Sequence, residues 1–312
     1  MILPIVLLSL LAAESAPIVA VSFTPDAKQV LAGSQAGVQV FSCPTVEPVG
    51  RVATKLEQVH DVSFAPGGKQ LAIAGGSPGE RGAVEIWNWP EAKLLRSLPA
   101  GDDVVYRTAW NGDGSKLALA CADKVVRLRP ADGSAPKLCP VHSAAVLSAA
   151  WLAADDLVLS AGVDQSIRLL SPKSGEVIRT FDNHTAAVRD LAIRPGTHEG
   201  PQMVASAGAD RTVRFWQPTI GRLVRFVRLP VAPTAICWTP DGSHALAACE
   251  DGRVRVVDPA TVAVTEIDGT SGWCYAIAAS PDGKYAVIGG ERGELRKVAL
   301  DAIVGNALRG VP

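Results

Sequence analysis

Any marked excess of positive or negative charge is missing from this chain: 30 basic residues stand against 31 acidic ones, a net charge of −1. That balance leaves no global field to draw nucleic acid or acidic lipid. There is no C-x-x-C pair, and the six cysteines (43, 121, 139, 237, 249, 274) lie apart from any histidine cluster. The ligand spacings of a metal site are therefore absent, and no cofactor is expected. No uncharged apolar run reaches the ~18–20 residues of a membrane-spanning helix. A G-x-S-x-G elbow, a P-loop and an H-E-x-x-H helix are all missing. The five histidines (60, 142, 184, 198, 244) do not cluster in sequence.

What is present is a repeat. A large or apolar residue followed by a turn rich in Pro, Asp and Gly recurs seven times. The copies read FTPD (23–26), FAPGG (64–68), WNGDG (110–114), WLAAD (151–155), IRPG (193–196), WTPDG (238–242) and ASPDG (279–283). Their first residues lie 41 to 46 apart. A period in the low forties, with strands on both sides of the turn, predicts an all-β, seven-bladed β-propeller with four antiparallel strands per blade. Seven such units use nearly all 312 residues, so one domain over 1–312 is expected. Hydrophobic content of 48% against 20% charged residues suits sheets buried on both faces.

The fifth unit shows the grammar most fully. AAVRDLAI (186–193), MVASAG (203–208), TVRFW (212–216) and RLVRFVRL (222–229) read as four strands joined by Gly/Asp turns. Two units are long. The second carries SPGERG (77–82) and the fifth THEGP (197–201), both read as surface-loop insertions.

On these residues the chain resembles the WD-repeat family of β-propellers, over roughly 17–300. The family's blade has a His before strand one, a Ser late in strand two, an Asp in the next turn and a Trp closing strand three. The fifth unit matches with His184, Ser206, Asp210 and Trp216. The fourth matches with His142, Ser160 and Asp164, but has Leu170 in the Trp place. The second keeps only Trp87 and the third only Asp123. The resemblance implies that the His–Ser–Asp–Trp set is a structural hydrogen-bond network, despite its likeness to a catalytic triad. It implies the same for Arg127, Arg168, Arg214, Arg255 and Arg296, each two residues before the Trp position.

Aligning the units gives two rings of loop-face positions. The first holds Val19, His60, Tyr106, Leu147, Arg189, Thr234 and Tyr275. The second holds Ser34, Ala122, Val163, Ala209, Glu250 and Glu291. His60, Tyr106, Arg189, Glu250, Trp273, Tyr275 and Glu291 form the expected partner-binding patch. The resulting expectation is a monomeric, non-catalytic scaffold for proteins or peptides, binding neither nucleic acid nor membrane. An enzyme with its site in the central channel is the alternative. The strand-one residues near the axis, read as mostly Ala, Val, Ile and Ser, speak against it. Residues 1–16 have two readings. SLLAAESAPIVAVSF (9–23) aligns without gaps onto RSLPAGDDVVYRTAW (96–110), which makes the N-terminus the outer strand of the last blade in a cytoplasmic protein. The apolar run ending in small residues reads instead as a signal peptide, which would give an exported sensor or ligand binder. NALRGVP (306–312) is another candidate to close the ring.

Overall fold

The computed structural model describes residues 16–300, apart from 153, 155 and 197–199. Seven antiparallel sheets follow one another in chain order. Their first strands touch in a closed cycle, the seventh against the first, and so surround a central channel. Six sheets have four strands each; the seventh has three among the described residues. The two segments proposed to supply its fourth strand, 1–12 and 306–312, lie outside the described residues. No helix among the described residues is long and apolar enough to cross a membrane.

In blade five the strands run Val188–Ile193, Val204–Gly208, Thr212–Gln217 and Arg222–Arg228. Burial falls from the middle outward. In blade six every residue of the second strand, Ala245–Cys249, is buried, whereas the outer strand, Val264–Asp268, is largely exposed. Middle strands lie between two neighbouring sheets, so they carry small and branched apolar residues on both faces.

The hydrophobic core is a set of seams between blades. Phe215 and Val213 of blade five pack with Ile236, Trp238 and Ala247 of blade six. Phe23 and Val30 of blade one meet Tyr285 and Val287 of blade seven, with the two rings 5.7 Å apart edge to face. That last seam closes the circle. Each large apolar side chain removed from water there contributes about 1.5–3 kcal/mol.

The insertion at 77–82 is a loop only in part. Strand two of the second blade runs Gln70–Ser77 and strand three Arg81–Asn88, with Ser77 paired to Arg81. The extra residues lengthen both strands of a hairpin, and only residues 78–80 form its exposed turn. Gly76 lets the two strands approach where a Cβ would collide with the Arg81 carbonyl, and Gly82 does the same toward the Asp103 carbonyl of the next blade. Residues 197–199 of the other insertion lie outside the described residues.

Candidate functional site: the mouth of the channel

The geometry of the mouth comes from β-bulges. In blade two Val59 pairs with Gly75 and Asp61 with Ala74, so His60 has no partner. The same skip leaves out Tyr106, Leu147, Arg189, Thr234 and Tyr275 in blades three to seven. A bulge adds one residue to a strand and re-aims its side chain. Six consecutive blades thus turn one strand-one residue each toward the same end of the ring. These six and Val19 of blade one line one depression of about 450 Å³, together with Trp273, Arg107, Asp190 and Ala235.

The lining is two-sided. Trp273 and Tyr275 lie 6.0 Å apart on blade seven, and His60 and Tyr106 5.2 Å apart on blades two and three. Val19 and Leu147 complete an apolar, aromatic arc. Trp273 is 41% exposed, so much of its face is open to solvent. The charged arc belongs to blades five and six. Arg189 is already committed: its Nη1 lies 2.7 Å from Glu250 Oε1 and also donates to the Pro233 carbonyl. Glu291 accepts the Trp273 main-chain N–H at 3.3 Å. Burial holds the His60 imidazole below its ordinary value despite Asp61 beside it. Its Nε2 is buried with no hydrogen-bond partner among the described residues. Burial raises the phenols of Tyr106 and Tyr275, helped by Asp103 and by Glu291 and Glu250 respectively.

The floor corrects an expectation. The axis carries charge: Arg107 of blade three lies 3.7 Å from Asp61 of blade two and 3.5 Å from Asp190 of blade five. Asp61 Oδ2 accepts the main-chain N–H and the hydroxyl of Thr108. Asp190 accepts from Ser148 Oγ and the N–H groups of Leu191 and Ile236, which ties blades four, five and six together. Burial pushes the Asp61 carboxyl up, against the pull of Arg107 and Thr108. Cys237 is partly exposed beside this cluster. Burial pushes its thiol up to about 12, far from a reactive thiolate.

Away from the mouth, polar networks tie the loops to the sheets. His184 Nδ1 lies 2.9 Å from Asp210 Oδ2, and Nε2 lies 2.8 Å from Ser206 Oγ, which accepts the Trp216 indole N–H at 2.9 Å. His142 repeats this with Asp164 at 3.0 Å and Ser160 at 2.7 Å. Both serines have no exposed surface, so no substrate can reach either hydroxyl. Arg127, Arg168, Arg214 and Arg255 each pair with the turn Asp four residues earlier. In the seventh blade Arg292 occupies that Asp position, so Arg296 has no such acid.

Two groups escaped the sequence reading. Buried Glu85 accepts the Trp87 indole N–H, Thr54 Oγ1 and Lys55 N–H, linking its blade to the loop before the first strand. The other is the channel trio. Its signal was a charged residue set inside each apolar strand-one run, in HDVSF, YRTAW and RDLAI.

Residues 135–171, 175–217 and 229–258 match the family described as WD domain, G-beta repeat. The first two segments contain both complete His–Ser–Asp sets. The chain is a seven-bladed propeller that carries WD repeats over these three segments. Among similar proteins, meiotic fizzy-related protein 1 of Schizosaccharomyces pombe is 28% identical over 153 residues, 45% of this chain and 35% of that protein. F-box-like/WD repeat-containing protein TBL1X of Mus musculus is 29% identical over 94 residues, 30% of this chain and 18% of its own. The intraflagellar transport protein 80 homolog of Rattus norvegicus is 28% identical over 152 residues, 48% of this chain and 19% of its own. The match thus spans 35% or less of each of these relatives.

Proposed function

We propose that this WD-repeat propeller is a non-catalytic scaffold that binds partner proteins or peptides through the channel mouth. The carrying observation is the set of bulges. Six blades each spend a strand irregularity to aim a side chain into one shared depression. Tyr and Trp supply large contact area at small entropy cost, and both line it. Among proteins that this chain resembles, one is named an APC/C activator and another an intraflagellar transport protein. The reading extends to a monomeric ring acting in the cytoplasm, with neither nucleic acid nor membrane as partner.

The test is a paired affinity purification from the native host with quantitative mass spectrometry. Tyr106→Ala with Tyr275→Ala is expected to weaken a genuine partner by at least ~2 kcal/mol while the ring stays folded. If the double variant keeps its partners, and changes in the 77–82 hairpin or on the opposite face remove them, the mouth is the wrong surface.

A further inference from the structure

The chemistry of the mouth narrows what it accepts. Among the groups lining the depression and those in direct contact with them, four carboxylates face two guanidinium groups. The carboxylates are Asp61, Asp190, Glu250 and Glu291; the cations are Arg107 and Arg189. Burial keeps His60 neutral near pH 7, so it adds no positive charge. Arg189 is balanced by Glu250 at 2.7 Å, and Arg107 is shared between two aspartates. An acidic ligand would therefore meet a surplus of like charge.

The surplus lies beside aromatic faces. Glu291 contacts the main-chain nitrogen of Trp273 at 3.3 Å, and Trp273 leans on Tyr275 with their planes at 49°. A ring face attracts a cation within ~6 Å by its quadrupole, most strongly for Trp. The aliphatic stem of a long basic side chain also suits the apolar arc of Val19, Leu147 and Tyr106.

We infer that the mouth takes a lysine or arginine side chain from an extended peptide of the partner, its stem against the aromatic arc and its charge between Trp273, Tyr275 and Glu291. This assignment rests on the mouth being the partner-binding surface, and it adds the chemistry of what enters. The partner segment is basic, and salt weakens the complex because part of the attraction lies at an exposed rim.

A random peptide library displayed on phage and panned against the full chain tests it, with the selected peptides as probes. The expected peptides share a Lys or Arg whose replacement by Met weakens binding roughly ten-fold. Trp273→Ala and Glu291→Gln in the protein each give a loss of about the same size, since each removes one half of the cation site. Both positions are exposed and neither substitution removes a core contact. Selected peptides without a basic residue, or indifferent to its replacement, overturn the inference. If such peptides still lose binding to the Tyr106→Ala, Tyr275→Ala protein, the mouth stands as the docking surface and only its charge preference is refuted. If no selected peptide depends on either tyrosine, or none binds this face, both readings fall.

Discussion

His184 has one proton arrangement that satisfies all its partners. Trp216 donates to Ser206, Ser206 donates to His184 Nε2, and His184 Nδ1–H donates to Asp210. The imidazole is therefore neutral. His184→Ala leaves Ser206 and Asp210 each short of a partner, so unfolding in urea should show a loss of about 1–3 kcal/mol at unchanged slope. Burial holds the imidazoles of His142 and His184 below the ordinary value, against the pull of Asp164 and Asp210. The native state then binds fewer protons than the unfolded one. Stability is full above the unfolded value and falls as the pH drops below about 6.5. Burial pushes the Asp210 carboxyl up, but hydrogen bonds from Thr212 and Thr185 and the nearness of His184 outweigh it and hold the group at about 2. Its contribution is present above ~3.9 and fades as pH falls further. Between pH ~7 and ~5 the wild type should lose stability more steeply than His184→Ala, which has one histidine fewer to titrate. Parallel profiles would assign the acid sensitivity elsewhere.

At the scale of the element, each bulge needs a small residue across the ladder. Gly75, Gly162 and Gly208 hold that place in blades two, four and five, and Cys121 and Cys249 in blades three and six. A Cβ on Gly162 would collide with the Ala145 carbonyl oxygen, and one on Gly208 with Asp210 Oδ1 and His184 Nδ1. Gly162→Ala should therefore cost about 1–3 kcal/mol by overpacking. Cys121→Ala stays near or below 1 kcal/mol, because a Cβ already fits there. Denaturant midpoints decide between them, and a neutral Gly162→Ala would mean that the bulge relaxes freely. The bulges also mark where the sequence was legible and where it was not. Strand positions in blade five came within about two residues from alternation and turns. The skipped residue left no trace in the pattern, because a bulge is a property of two paired strands. At 77–82 the strands extend further into the insertion than its turn residues suggest, for a related reason. Glycines that signal a loop in one strand also permit close pairing of two.

At the scale of the whole molecule, Arg107 holds together an axis that three blades share with it. It is enclosed by the ring yet keeps about a third of its side chain (36%) open to the channel. Asp190 raises its affinity for a proton more than burial lowers it, and Asp61 adds to this. Arg107→Leu leaves Asp61 and Asp190 without their cation. Removing one partner of a buried pair costs several kcal/mol; solvent in the channel reduces that here to about 1–3 kcal/mol. Burial already pushes the Asp61 carboxyl up, and without Arg107 one of the pulls that oppose it is gone. A raised carboxyl contributes stability below its unfolded value and loses it as pH rises through the folded one. The gap between wild type and Arg107→Leu should be widest near neutral pH and close toward pH ~4. A gap independent of pH would show that packing, not charge, is what Arg107 supplies.

The sequence by itself determined the number of blades, their strand order and the members of both tetrad-like networks. All three follow from local signals: a turn repeated at a fixed period, alternation within strands, and His, Ser and Asp at fixed offsets from that turn. It also determined the strand-one ring at the mouth, because equivalent positions of a closed ring must face the same way, but not Arg107 and Asp190, which line the same depression. Only the tertiary structure decided what those residues do to one another. Arg189 and Glu250 are 61 residues apart in sequence and belong to different blades, yet they pair at 2.7 Å. Asp61, Arg107 and Asp190 read as isolated charges in apolar strands and become a cluster once blades two, three and five converge on the axis. Closure brings such residues together, and closure is a property of the whole ring that no single repeat contains.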